Sequence, residues 1–131
     1  AITSASGYFV ERLDVRRFAK DHHLRQIWRN HILGYSMIHK GDIELFHYIH
    51  LYPKGNRHFR DMAIPEYKRL LSDSGKSSFI DLTYEELFQM MEEHFQSEEQ
   101  KKWIDYLNKR YLFPITSQTP TSPLHPLQGA D

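Results

Sequence analysis

Arg25, Gln26, Arg29 and Asn30 are the residues whose types and spacing could do chemistry, and the chemistry is polyanion binding. Gln26 and Asn30 stand four residues apart, as do Arg25 and Arg29, so a helix through them sets two amides on one face and two guanidinium groups on the next. An amide can hydrogen-bond a base edge or a backbone atom, and a guanidinium fork matches two phosphate oxygens. The same spacing also describes an ordinary solvated helix face beside an apolar stripe. A second cluster, Lys54, Asn56 and Arg57, lies in Pro53-Lys54-Gly55-Asn56-Arg57-His58, a turn signal after a strand-like run. Loop N–H groups beyond the carboxyl end of a parallel strand can hold an anion, although such a run can equally be a plain turn.

Metal and hydrolytic chemistry find less support in the residues. The chain has nine histidines, including His22-His23 and His47-x-x-His50. Positions i and i+3 of a strand face opposite sides, and without cysteine or a dense carboxylate set no coordination shell closes, so no metal ligand is assigned. Glu66-Tyr67-Lys68 has the carboxylate-x-Lys form of metal-dependent nucleases, with Asp42 or Asp61 as an imaginable second acid. Catalysis needs those groups on one face of a rigid strand, whereas Pro65 and the residues after Lys68 predict a helix. No nucleophile elbow, Gly-rich phosphate loop or Cys/His pairing occurs, and no catalytic residue is assigned.

Positioning the polar groups falls to elements that punctuation and periodicity mark out. Leu24, Ile27, Trp28, His31, Ile32, Tyr35 and Ile38 recur at helical spacing, which predicts a helix from an N-cap at Asp21 to about His39, closed by Gly41. Aromatic and β-branched residues predict a strand over residues 43–52, apolar on both faces, and a second strand over 77–82. A helix starts near Pro65, and capping boxes at Thr83 and Ser97 open two more, to about Phe95 and Leu112. The order helix, strand, helix, strand, helix, helix implies an α/β class with a right-handed parallel crossover. Two parallel strands with four helices make a poor domain. Either residues 8–15 add a strand, or strands come from another chain or from sequence upstream of Ala1. The expected organisation is a poorly defined segment 1–20, an α/β half-domain 21–113, and a flexible Pro/Ser/Thr-rich tail 114–131.

Composition bounds the rest. A 131-residue chain, 40 % hydrophobic and 26 % charged, fits one globular unit with no internal repeat. No apolar run approaches the ~18 residues of a spanning helix. The lack of cysteine fits a reducing compartment, so a cytoplasmic location away from membranes is expected. The formal net charge is zero, yet residues 1–69 hold 12 Lys and Arg against 7 Asp and Glu, and residues 70–131 hold 5 against 10. That dipole permits one face for a polyanion and another turned elsewhere.

Gln26-Ile27-Trp28-Arg29-Asn30 on a helix, then His50-Leu51-Tyr52-Pro53-Lys54-Gly55-Asn56, resemble the later half of nucleases of the PD-(D/E)XK, or restriction-endonuclease-like, superfamily. Residues 79–87 and the closing Trp103, Tyr106-Leu107 and Arg110-Tyr111-Leu112 are similar to that group's final strand and helices. The resemblance runs from about Gln26 to Leu112. It implies a partial restriction-endonuclease-like fold with the Gln26 helix beside the catalytic sheet, near the active site or DNA. Some relatives carry Tyr where this chain has Asn30. The superfamily's metal-binding acids and catalytic lysine lie on strands before this helix, and residues 1–25 hold no matching set. Double-stranded DNA is the implied partner, and Mg²⁺ the implied cofactor of the complete protein, held by none of these residues alone. On this reading the chain supplies scaffold and DNA-backbone contacts through Arg25, Gln26, Arg29, Asn30, Lys54, Asn56 and Arg57. The competing readings are a non-catalytic α/β interaction module using the Met- and aromatic-rich terminal helices, and a phosphoester-binding enzyme using the 54–57 loop.

Overall fold

The apolar stripe of the first long helix does what its spacing implies. In a computed structural model that describes residues 2–112, helix α3 spans His22–Lys40 and buries Leu24, Ile27, His31 and Ile32. Gly41 at φ +81° closes it, a left-handed conformation that suits glycine. Two short helices precede it, α1 (Ile2–Ala5) and α2 (Arg16–Lys20). Strand β1 (Tyr48–Tyr52) follows, then a π-helical turn (His58–Ala63) that runs straight into α4 (Ile64–Arg69). After these come α5 (Asp73–Ser78), β2 (Phe79–Thr83), α6 (Tyr84–His94) and α7 (Glu98–Tyr111).

The two strands pair in parallel, with Tyr48 opposite Phe79, His50 opposite Asp81 and Tyr52 opposite Thr83. The sheet thus has the predicted direction but shorter strands. Pairing starts only at Tyr48 because its partner begins at Phe79; residues 43–47 have nothing to pair with among the described residues. They run irregularly instead, with the Phe46 ring lying where a side chain at Gly34 would sit. The second strand covers Phe79–Thr83 rather than 77–82, because α5 occupies the positions before it. Residues 8–15 add no strand; Phe9 makes a single antiparallel bridge to Leu71. Residues 2–20 nonetheless place Tyr8, Phe9 and Phe18 in the main core. The expected tail, 114–131, lies outside the described residues.

Core and sheet meet on one side. Tyr67 of α4 packs against Phe79 at 5.1 Å between ring centroids, and His31 of α3 lies over Tyr48 and Phe79 at 6.0 and 5.7 Å. The other side carries Ile49 and Ile80, which remain 52 % and 42 % exposed. Both capping boxes form as the sequence predicts, Thr83 with Glu86 and Ser97 with Gln100. Thr83→Ala should therefore cost about 1 kcal/mol, read as a lowered urea midpoint with unchanged slope.

Candidate nucleic-acid interface

Helix α3 separates its two jobs by face. Turned inward, His31 is fully buried, its Nδ1 3.0 Å from the Tyr67 hydroxyl and its Nε2 2.7 Å from Ser78 Oγ. Ser78 donates to the Gly75 carbonyl, so it accepts from His31 Nε2–H, and Tyr67 donates to Nδ1. One neutral ring thereby ties α3 to α4 and α5. Turned outward, Arg25, Gln26, Arg29 and Asn30 line, with His22 and Leu33, a concavity of about 480 Å³. The four residues grouped by sequence spacing are thus together in space.

They are not equally available. The Arg25 guanidinium donates to the Ala19 carbonyl, clamping the end of α2 to the start of α3. Burial raises the Tyr48 pKa, and the nearby Asn30 side chain opposes that rise. That hydroxyl also lies 2.9 Å from His50 Nδ1. Burial lowers the pKa of His50, and the Asp81 carboxylate opposes that shift. Gln26 and Arg29 are exposed, and their side chains make no hydrogen bond or ion pair among the described residues. Helix α3 has no acid in its first turn, and Asp21 makes no side-chain cap, leaving the positive end of the helix dipole without a local carboxylate cap.

The second cluster follows β1, at the carboxyl end of the sheet. Its backbone is pinned: Lys54 N–H donates to Glu85 Oε2 at 2.9 Å, and the Lys54 carbonyl accepts from Arg60. Asn56 Oδ1 accepts from Phe59 N–H at 3.2 Å, so the amide oxygen caps the start of the π-helical turn. Lys54 and Arg57 are exposed and make no side-chain ion pair among the described residues, although Lys54 helps to hold the Glu86 pKa down and Arg57 that of Asp61. One contact between α3 and this loop is not legible from the sequence. His23 and His58 meet edge to face with ring centroids 4.9 Å apart. His23 shares a stripe with Gln26 and Asn30, at i, i+3 and i+7, a spacing already visible in the sequence.

Carboxylates here serve as ion-pair partners. Glu66 pairs with Arg17 and lies 3.7 Å from His23; Lys68 pairs with Asp81, and Arg60 with Asp61. The Arg60 hydrogen bond holds the Asp61 pKa down. Glu66 and Lys68 thus sit on helix α4 with separate partners, as expected from Pro65. Among the described residues no three His, Asp or Glu side chains converge on a cation position. This donor set does not fit Mg²⁺. No described helix is long and apolar enough to cross a membrane.

A family model described as the PD-(D/E)XK nuclease superfamily matches residues 1–113. The chain belongs to that superfamily. Comparison with curated proteins and with solved structures finds no match. The two-stranded parallel sheet flanked by helices is compatible with an α/β PD-(D/E)XK fold. Membership gives the chain a nuclease-like character.

Proposed function

We propose that these residues form the scaffold and DNA-backbone-contact part of a metal-dependent DNA nuclease. The catalytic acids and the Mg²⁺ they hold would belong to groups outside the described residues. The observation that carries this reading is the joining of two cationic clusters. The α3 face with Arg25, Gln26, Arg29 and Asn30 continues through the His23–His58 contact to the loop with Lys54, Asn56 and Arg57. Arg29, Lys54 and Arg57 supply the available charge; Gln26 supplies an available amide. Arg25 and Asn56 act by holding this surface in shape.

Phosphate contacts release counterions, so log K falls linearly with log salt, with a slope of about −0.9 per contact. Arg29→Ala with Arg57→Ala should make the slope for duplex DNA shallower by about two. Fluorescence anisotropy at several salt concentrations reads this directly, and an unchanged slope removes the surface from the account.

A second reading, an interaction module, draws on α7. Trp103 and Tyr106 are each about half exposed, and Arg110 stacks over Tyr106 and Tyr111 at 5.9 and 5.6 Å. Exposed Trp, Tyr and Arg are the residue types enriched at protein interfaces. DNA-independent self-association on size exclusion, with no affinity for duplex, would favour that module.

A further inference from the structure

We propose that the duplex-binding surface continues onto α2, where Arg16 and Lys20 contact DNA-backbone phosphates. This rests on the DNA reading above and extends it to two residues on a different helix.

The orientation of α2 is fixed by its one apolar anchor. Phe18 is fully buried and stacks flat on Trp28 of α3, with centroids 5.3 Å apart and planes at 7°. At about 100° per residue, the positions two before and two after Phe18 project away from the core. These are Arg16 and Lys20, both exposed. The remaining α2 cation, Arg17, is compensated by Glu66 and by Asp21, the latter at 3.8 Å. Arg16 and Lys20 have no carboxylate partner among the described residues; Asp14 accepts from the Arg16 backbone N–H instead.

The junction places these charges beside the α3 face. Arg25 donates to the carbonyl of Ala19, the residue before Lys20. His22, two residues after Lys20, lines the same concavity as Arg25, Gln26 and Arg29. Arg16, Lys20, Arg29 and Arg57 are thus four exposed cations that make no side-chain ion pair among the described residues, spread over α2, α3 and the 53–58 loop, with Asp61 near enough to Arg57 to feel its charge. A band of charge of this kind, rather than one convergent pocket, suits a polymer carrying a phosphate charge every ~1.7 Å of its axis.

The test measures duplex affinity against salt for the protein and four variants, each checked for folding by far-UV circular dichroism. Arg16→Ala with Lys20→Ala should make the slope shallower by about two. Arg16→Lys with Lys20→Arg should preserve it, and Lys102→Ala on α7 should leave it unchanged. If the α2 double alanine variant keeps the full slope while Arg29→Ala with Arg57→Ala flattens it, the extension is wrong and the DNA reading stands. If neither pair alters the slope, both fall. Tighter binding to single-stranded DNA of the same length would overturn the assignment to duplex.

Discussion

Tyr67→Ala is expected to lower the unfolding free energy by about 4 kcal/mol, the largest effect of any single substitution considered. Tyr67 is fully buried and touches Phe9, Phe18, His31 and Phe79, so truncation opens a cavity between α4, α3 and β2. It also removes the donor to His31 Nδ1. Tyr67→Phe keeps the ring and loses only the hydroxyl, leaving a buried acceptor unmatched, at a cost of about 1–3 kcal/mol. Urea unfolding of the two variants separates the terms. Equal losses would mean that the hydrogen bond, rather than the packing, holds α4 to α3.

Acid should destabilise the fold through His31. Burial holds its pKa down at about 4, against an ordinary 6.5. The rings of Tyr8, Phe9, Tyr48, Tyr67 and Phe79 and the Ser78 hydroxyl lie against it, and among the described residues no carboxylate offsets the loss of hydration. A proton would also remove the Nδ1 acceptor that Tyr67 uses. The folded state therefore favours neutral His31, and its contribution is complete above pH 6.5. It declines as the unfolded chain protonates, and levels off below about pH 4. The loss over that window is about 3 kcal/mol. His50, whose pKa burial also lowers, adds in the same direction. In His31→Gln the His31 part of the slope disappears, so the difference between the two pH profiles isolates it. Profiles that run parallel would show that the buried ring does not carry the effect.

What the sequence disclosed follows from which forces are local. Helix α3, both capping boxes and the turn after β1 depend on neighbours within a few positions, and all were legible. The strand ends were not, because a strand exists only where a partner reaches: the apolar run from Ile43 starts five residues before Tyr48, where pairing with β2 begins. Helix α5, Asp73-Ser-Gly-Lys-Ser-Ser, has weak intrinsic propensity. Beyond its local cap, Ser72 on Gly75 N–H, it is held by tertiary contacts: the Ser72 N–H bond to the Tyr8 carbonyl and Ser78 against His31. The site shows the same division. The grouping of Arg25, Gln26, Arg29 and Asn30 is a one-helix property. The diversion of Asn56 into a cap and of Arg25 onto Ala19, and the His23–His58 junction, are geometric facts that spacing alone does not contain.

His31 has a consequence for function as well as stability. Helix α3 carries Arg29 outward and His31 inward two positions later, so the buried hydrogen bonds to Tyr67 and Ser78 set the rotation of the helix and thereby the direction of its polar face. Family membership gives the nuclease-like character; the arrangement of charge is what the proposed role depends on. The most direct measurement is the affinity of the unmodified protein for a labelled duplex across a range of salt concentrations. The account predicts binding whose logarithm falls linearly with log salt, with a slope of about −3 or steeper, one contact each for Arg29, Lys54 and Arg57 at the least. No duplex binding at low salt, or binding indifferent to salt, would contradict it.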